Sequence, residues 1–185
     1  MHRRTCLAAL AGLFSTAGCA QLNAVSNDPQ QRDAAGEPLM ISGISASTPE
    51  NSPVALSATV IRDTITPEET ARVAIEYTNT GDSAVTININ PDKPDPLHSV
   101  PRDETPGLYL IPDGYSPTRA SEECWKAAES LPVQAAITEY DLPSGESARM
   151  EYDVWGSPKQ SAACIQTDRY EFGPPEGTVS LTVSK

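Results

Sequence analysis

From Leu39 to the C-terminus, apolar and polar residues alternate with a period of two. The clearest runs lie at 54–61, 73–77 and 179–183, where apolar residues occupy every second position. This period places side chains alternately on the two faces of a strand, whereas a helix repeats about every 3.6 residues. The pattern therefore predicts an all-β chain, with strands at 40–46, 54–61, 72–78, 85–90, 107–112, 133–140, 147–155, 168–172 and 177–184.

The predicted strands number about seven to nine, with polar turns between them and no run long enough for a crossover helix. Such a set predicts an antiparallel β-sandwich, and a closed barrel is the alternative. The cluster Asn79-Thr80-Gly81-Asp82 predicts a hairpin between 72–78 and 85–90, because Asn and Gly accept positive φ. A second turn is predicted at Pro143-Ser144-Gly145-Glu146.

The N-terminus has the pattern of an export signal. Arg3 and Arg4 precede an uncharged run of 14 residues from Thr5 to Gly18. A helix needs about 20 apolar residues to span a bilayer, so this run is too short to be a transmembrane segment. A basic start, a short apolar run and small residues at its end are typical of a signal peptide. The arginine pair resembles a twin-arginine signal, which directs folded proteins to export.

The sequence Thr16-Ala17-Gly18-Cys19 resembles a lipobox. The resemblance implies cleavage after residue 18 and a diacylglycerol on Cys19, which would anchor the chain stably in a membrane. A plain signal peptide cut nearby, or a short buried helix, is the alternative. The polar residues that follow lack periodicity and predict a flexible tether. The expected organisation is a signal peptide at 1–18, a lipidated N-terminus and tether at 19–38, and one domain at 39–185.

The chain is strongly acidic, with 25 Asp and Glu against 13 Lys and Arg and a net charge of −12. Removing residues 1–18, which hold two arginines and no acid, makes the net charge −14. Phosphate backbones would repel such a surface, so nucleic-acid binding is not expected. The scarcity of lysine and the even spread of acids resemble halophilic archaeal proteins, whose surface charges molar salt screens within about 3 Å. An ordinary acidic exported domain is the alternative.

Three segments resemble immunoglobulin-like proteins. Residues 75–85, Ile-Glu-Tyr-Thr-Asn-Thr-Gly-Asp-Ser-Ala-Val, resemble the strand–turn–strand unit of Ig-like modules in cell-surface proteins. The whole mature chain resembles small Ig-like lipoproteins of unknown function from haloarchaea. The turn at 142–147 and the run Asp-Arg-Tyr-Glu-Phe at 168–172 are similar to the Bacillus intracellular proteinase-inhibitor family, which is also Ig-like. These resemblances imply the fold and a place at the cell surface.

The four cysteines divide into two pairs by position. Cys6 lies in the signal and Cys19 is the expected lipid site, which leaves Cys124 and Cys164. An even pair in an exported chain predicts a disulfide. A loop of about 40 residues would give such a bond roughly 4 kcal/mol of stabilisation in the chain-entropy treatment. A metal pair or a reactive thiol is the alternative, although neither cysteine has a CxxC neighbour or a nearby histidine.

Two features mark candidate contact surfaces. Trp155 is out of phase with its apolar neighbours and is expected to face outward, and Tyr109 and Tyr115 are further candidates for partner binding. Packing of Trp125 and Trp155 in the core, one against the disulfide, is the interpretation that the sequence favours over such a surface. Residues 91–117 hold seven prolines, which predict a long stiff loop around a short strand. The acids of this loop lack the spacing of a known calcium loop, which favours solvated side chains.

Catalytic and cofactor motifs are missing from the sequence. His98 is the single histidine after residue 18, whereas blue copper needs two histidines and a thiolate, and a histidine-based zinc site needs more than one. The chain also lacks a Gly-x-Ser-x-Gly elbow, a P-loop and a dinucleotide fingerprint. We therefore expect no catalysis, no cofactor and no metal.

These observations together predict a lipid-anchored, extracytoplasmic module of the cell envelope. It would be attached to the membrane through Cys19 and would bind an unknown protein or glycan partner. The main alternative is an extracytoplasmic protease inhibitor that presents the loop at 91–117. A third hypothesis is a hydrolase without histidine, which would need two close, buried carboxylates in one pocket.

Overall fold

The computed structural model describes residues 38–100, 107–131, 138–158 and 164–185. Within these ranges the chain forms thirteen β-strands and no helix. The strands are β1 (Leu39–Ser47), β2 (Val54–Arg62), β3 (Thr64–Ile65), β4 (Arg72–Asn79), β5 (Val85–Ile87), β6 (Leu97–His98), β7 (Leu108–Pro112), β8 (Arg119–Ser121), β9 (Cys124–Ala127), β10 (Tyr140–Leu142), β11 (Ser147–Gly156), β12 (Asp168–Phe172) and β13 (Thr178–Ser184).

The smaller of the two main sheets has the strand order β12-β13-β1-β3. All three of its pairings are antiparallel. In β13 the apolar residues Val179, Leu181 and Val183 are buried, and the hydroxyl residues between them face away from the core. The period of two in the sequence therefore reports the faces of this strand correctly.

The larger sheet has the order β2-β4-β11-β7-β6, and the β8–β9 hairpin is attached to β11. β11 lies between β4 and β7 and is antiparallel to both. β9 meets β11 through a parallel bridge between Gly156 and Lys126. All five residues of β7 are buried, because the core covers one face of this strand and the β8–β9 hairpin covers the other.

The main core lies between the two sheets. Its members come from the inward faces of both, including Val73, Ile75 and Leu110 from the larger sheet and Phe172 and Leu181 from the smaller one. Burial of apolar side chains from two facing sheets is the dominant favourable contribution to folding in such an arrangement. Two antiparallel sheets around one core are compatible with a β-sandwich.

The two sheets are linked at both sides. On one side Ser99, next to β6, forms a bridge to Phe172 of β12, and the Val100 N–H donates to the Glu171 carbonyl at 2.8 Å. On the other side the chain passes from β2 directly into β3, and the Ile41 N–H donates to the Asp63 carbonyl at 2.7 Å. The edges of the sheets are therefore partly closed, a feature of the barrel alternative.

The predicted hairpin between β4 and β5 is wrong. β4 pairs with β2 and β11, whereas β5 pairs with β10 in a separate two-stranded sheet. The reason lies in Asn79, whose buried side chain accepts the Gly81 N–H and donates to the Ser83 carbonyl. These bonds direct the chain away from β4 after its last residue, so the Asn/Gly/Asp cluster makes a turn without making a hairpin.

Of the remaining strand predictions, the one at 85–90 is confirmed only over Val85–Ile87, which form β5. Those corresponding to β1, β2, β4, β7, β11, β12 and β13 are confirmed, and so is the turn at 143–146, where the Glu146 N–H donates to the Pro143 carbonyl at 3.1 Å and Gly145 has φ 78°. The predicted strand at 133–140 lies largely outside the described residues, and β10 begins only at Tyr140. The short strands β3, β6, β8 and β9 were not predicted, since two to four residues show no period.

The signal peptide, Cys6, Cys19 and the tether up to residue 37 lie outside the described residues. So do residues 101–106 of the proline-rich stretch. The described part of the chain contains no helix long and apolar enough to cross a bilayer.

Candidate functional site

The outer face of the larger sheet carries a group of charged side chains. In β11 the even-numbered residues from 148 to 154 face the core, so Arg149, Glu151 and Asp153 face outward. The register places Asp153 opposite Arg72 of β4 and Arg149 opposite Glu76. Opposite charges on neighbouring strands of one face stabilise the pairing of those strands.

Arg72 is the centre of this charged group. Its guanidinium reaches the carboxylates of Asp113 at 2.6 Å, Glu151 at 3.1 Å and Asp153 at 3.3 Å. The hydrogen bond to Asp113 is the largest cause that raises the pKa of Arg72 above its ordinary value. Only 20% of the Arg72 side chain is exposed, and three carboxylates bind its guanidinium.

Asp153 is shared between two arginines. It also lies 3.8 Å from Arg62, which in turn lies 3.5 Å from Glu69. Burial raises the pKa of Asp153, and the charges of Arg72 and Arg62 oppose that shift. The Arg62 Nε donates to the Thr70 carbonyl at 2.6 Å, so this arginine joins the outer face to the loop before β4.

An open cleft of about 310 Å³ lies beside this network. One wall comes from the proline-rich stretch and the other from the first half of β11. The lining residues are Pro91, Asp92, Pro94, Asp113, Arg149, Met150 and Glu151. The turn at Asn90–Lys93 is closed by bonds from the Lys93 N–H to the Asn90 carbonyl and side-chain oxygen. The structure thus brings two acids of the predicted loop, Asp92 and Asp113, against a charged strand.

The cleft lacks the carboxylate pair that the hydrolase hypothesis requires. The acids that line it are Asp92, Asp113 and Glu151; Asp92 is exposed, the side chains of Asp113 and Glu151 are 77% and 40% exposed, and these two bind Arg72. A general acid needs a carboxyl group whose pKa is raised in a buried position near a second carboxylate. Among the described residues, no three His, Cys, Asp or Glu side chains group closely enough to hold a metal ion.

The expectation that Trp155 faces solvent is wrong. Trp155 does point away from the main core, as its phase predicts, but it is only 6% exposed because the β8–β9 hairpin covers it. Tyr109 is 4% exposed in the same cluster, and Tyr115 packs against the cluster partly buried. Tyr109 and Trp155 therefore offer little surface to a partner. Trp125 stacks edge-to-face on Trp155 with ring centroids 5.0 Å apart.

The structure brings Cys124 and Cys164 together as a disulfide, as predicted, with Cα atoms 5.5 Å apart. Cys124 begins β9 and Cys164 precedes β12, so the bond joins the hairpin to the segment that enters the smaller sheet. His98, the single histidine among the described residues, is exposed and packs on Tyr109 with ring centroids 4.3 Å apart.

The chain matches no protein family, no curated protein and no solved structure. The charged face and its cleft therefore carry the functional argument.

The sequence interpretation did not identify Arg72, Glu151 and Asp153. A signal for part of this group was present, because Arg149, Glu151 and Asp153 alternate with core residues along one predicted strand. The contacts of Arg72 with Glu151 and Asp153 depend on the register between β4 and β11. Its contact with Asp113 depends on the turn after β7. Neither follows from the local sequence.

Replacing Arg72 with methionine should destabilise the fold by about 2 kcal/mol, because it leaves two partly buried carboxylates without their shared counter-charge. Denaturant unfolding measures this change. Arg169→Met is the matched control, since Arg169 is 58% exposed and lies 4.0 Å from Glu171. A surface pair of this kind should contribute less than about 1 kcal/mol. Equal losses in the two variants would show that the Arg72 network adds no more stability than an exposed ion pair.

Proposed function

We propose that this chain is a lipid-anchored, extracytoplasmic Ig-like module of the cell envelope that binds a protein or glycan partner and catalyses no reaction. The cleft between the proline-rich stretch and β11 would be its binding surface. The observation that carries the proposal is that cleft: residues far apart in sequence form one concave surface, and Arg72 binds two of its four charged side chains, Asp113 and Glu151. A fixed surface of this kind lowers the entropy cost of binding.

Several further features support an envelope location. The sequence begins with a pattern that resembles a twin-arginine signal and a lipobox, and the described domain contains a cysteine pair at disulfide distance. The excess of acids fits a high-salt habitat better than it fits a particular partner, because the described acids are spread over the surface.

Site-specific photo-crosslinking in intact cells tests the binding surface. A photo-reactive side chain at Asp92 should capture one discrete partner, because Asp92 is exposed at the rim of the cleft. The same side chain at Ser45, which is exposed on the outer face of the smaller sheet, is the matched control. Capture at both positions, or at neither, would contradict binding at the cleft.

Replacing Cys19 with serine tests the anchor. Without the cysteine sulfur no diacylglycerol can be attached, and the mature chain should leave the membrane fraction for the soluble fraction. Cell fractionation followed by immunodetection measures the distribution. Cys6→Ser is the control, since this residue lies inside the predicted signal and should leave the distribution unchanged. Membrane retention of the Cys19→Ser protein would contradict lipid anchoring at this site.

A second candidate function, protease inhibition, is favoured by Val100. This is the most exposed of the large apolar residues in the described chain, at 60%. Its N–H is bonded to Glu171, and the neighbouring Ser99 N–H donates to the Leu108 carbonyl at 2.9 Å. An exposed apolar side chain on a backbone that these bonds hold in place suits the substrate groove of a protease. The inhibitor hypothesis predicts that the full chain slows an exported protease and that Val100→Asp abolishes the effect.

A further inference from the structure

An apolar patch lies on the outer face of the larger sheet, opposite the main core. It consists of Tyr109, Ile111 and Trp155, which belong to β7 and β11. On an uncovered sheet these aromatic and aliphatic side chains would face solvent. They are 2–6% exposed: Ala127 and Trp125 of the β8–β9 hairpin pack over them, and His98 of β6 also stacks on Tyr109. We call this hairpin the strap, defined as residues 119–127.

The strap is internally rigid. The Arg119 guanidinium stacks on the Trp125 ring at 4.2 Å from its centroid and bonds to the carbonyl oxygens of Glu122 and Cys124. The two strands pair antiparallel, and the Ala128 N–H donates to the Thr118 carbonyl at 2.8 Å. The strap is therefore expected to move as one unit.

The strap is joined to the sheet differently from the other strands. Its backbone pairing with β11 is the single bridge between Gly156 and Lys126, whereas β4 and β7 each pair with β11 over several residues. The Trp125 Nε1–H also donates to the Thr66 carbonyl at 2.6 Å. Apart from the chain itself, the Cys124–Cys164 disulfide is the covalent link between the strap and another segment, and it lies at one end of β9. Neither cysteine belongs to the main core, although Ile165 beside Cys164 is part of it and Trp125 beside Cys124 also packs against it.

From these observations we infer that the disulfide is a redox latch on the strap, and that the main core folds without it. Reduction by a dithiol would transfer two electrons and two protons to the Cys124–Cys164 bond. The products are two cysteine thiols and the oxidised cyclic dithiol. The strap would then open and uncover Tyr109, Ile111 and Trp155, while the two main sheets stay paired.

Folding of the core before the disulfide forms agrees with the proposed export route. The inference depends on that proposed route only for the compartment in which the disulfide forms. A twin-arginine signal directs a chain that has already folded, and the cytosol keeps thiols reduced. A core that needs no disulfide satisfies that condition. The latch would close after export, when the chain meets an oxidising compartment.

The two tryptophans provide a reporter, because the chain has only Trp125 and Trp155 and they stack across the interface between strap and sheet. The experiment uses the full chain with Cys6→Ser and Cys19→Ser, so that Cys124 and Cys164 are its only thiols. On reduction with dithiothreitol, tryptophan emission should shift to longer wavelength. Amide exchange in β8 and β9 should accelerate about tenfold or more, while amides of β4 and β13 remain protected.

The matched control adds Cys124→Ser and Cys164→Ser to the same background. Its emission should equal that of the reduced chain, and dithiothreitol should not change it. Two outcomes would overturn the inference. Unchanged emission after complete reduction would mean that the strap stays closed without the bond, and loss of protection in β4 and β13 would mean that the core depends on it. Both readouts use purified protein, so neither depends on the partner, the anchor or the cleft.

Discussion

Replacing Gly177 with alanine should destabilise the fold by about 3 kcal/mol, the upper end of the usual cost of overpacking. A Cβ at this position would lie 2.3 Å from the Ser47 carbonyl oxygen and 2.9 Å from Leu56 Cδ2. The leucine side chain can rotate, but the carbonyl belongs to the last residue of β1, which is paired with Thr178. Relief of the clash therefore requires a shift between β1 and β13 in the smaller sheet.

Gly173→Ala is the matched control, because an added Cβ there has no heavy atom within 4 Å. Both glycines flank the turn between β12 and β13, and both substitutions reduce the freedom of the unfolded chain. The control should be neutral or stabilising by up to about 1 kcal/mol. Urea unfolding of the two variants measures the difference. Similar midpoints for both would contradict the close approach between Gly177 and β1.

The sequence predicted the strands of this fold better than their partners. Alternation in β2, β4 and β13 identified strands and their inward faces, because burial on one side selects apolar residues at every second position. Pairing depends on distant segments. Residues 85–87 pair with 140–142, more than fifty positions away, and the local turn signal at 79–82 favours a nearer partner.

Trp155 illustrates a second limit. Its phase in β11 identified the face on which it lies, and that part of the prediction is correct. The period of a strand contains no information about what covers its outer face, and here a hairpin from 119–127 does so. The same limit applies to the charged site, because the three partners of Arg72 come from β11 and from the turn after β7. The cysteine pair was predictable, because only two cysteines were left to combine.

Replacing Asn79 with alanine should destabilise the fold by about 3 kcal/mol, because it leaves buried backbone groups without partners. Asn79 is 1% exposed. Its side-chain amide donates to the carbonyls of Ser83 at 2.8 Å and Leu142 at 2.9 Å, and its oxygen accepts the Gly81 N–H at 2.9 Å. One side chain thus joins the end of β4 to β10 and to the turn that leads to β5.

Asn88→Ala is the control for the loss of an asparagine, since Asn88 is exposed after β5 and should change stability by less than about 0.5 kcal/mol. Asn79→Asp gives a sharper test. At neutral pH it places a carboxylate against the two carbonyl oxygens, so it should be at least as destabilising as alanine. Burial and the missing donors would raise the folded-state pKa of this aspartate above its unfolded value of about 3.9.

A group whose pKa is higher in the folded state contributes stability below its unfolded pKa and loses that contribution as pH rises through the folded value. The Asn79→Asp protein should therefore approach the stability of the unsubstituted chain as pH falls toward 4, because the protonated carboxyl regains one donor for Ser83 or Leu142. The Asn79→Ala protein has no titrating group at this position, so its loss of stability should not change with pH. Urea unfolding of both variants at several pH values measures this difference. A loss of stability that is independent of pH in both variants would mean that the side-chain amide of Asn79 does not hold these two carbonyls.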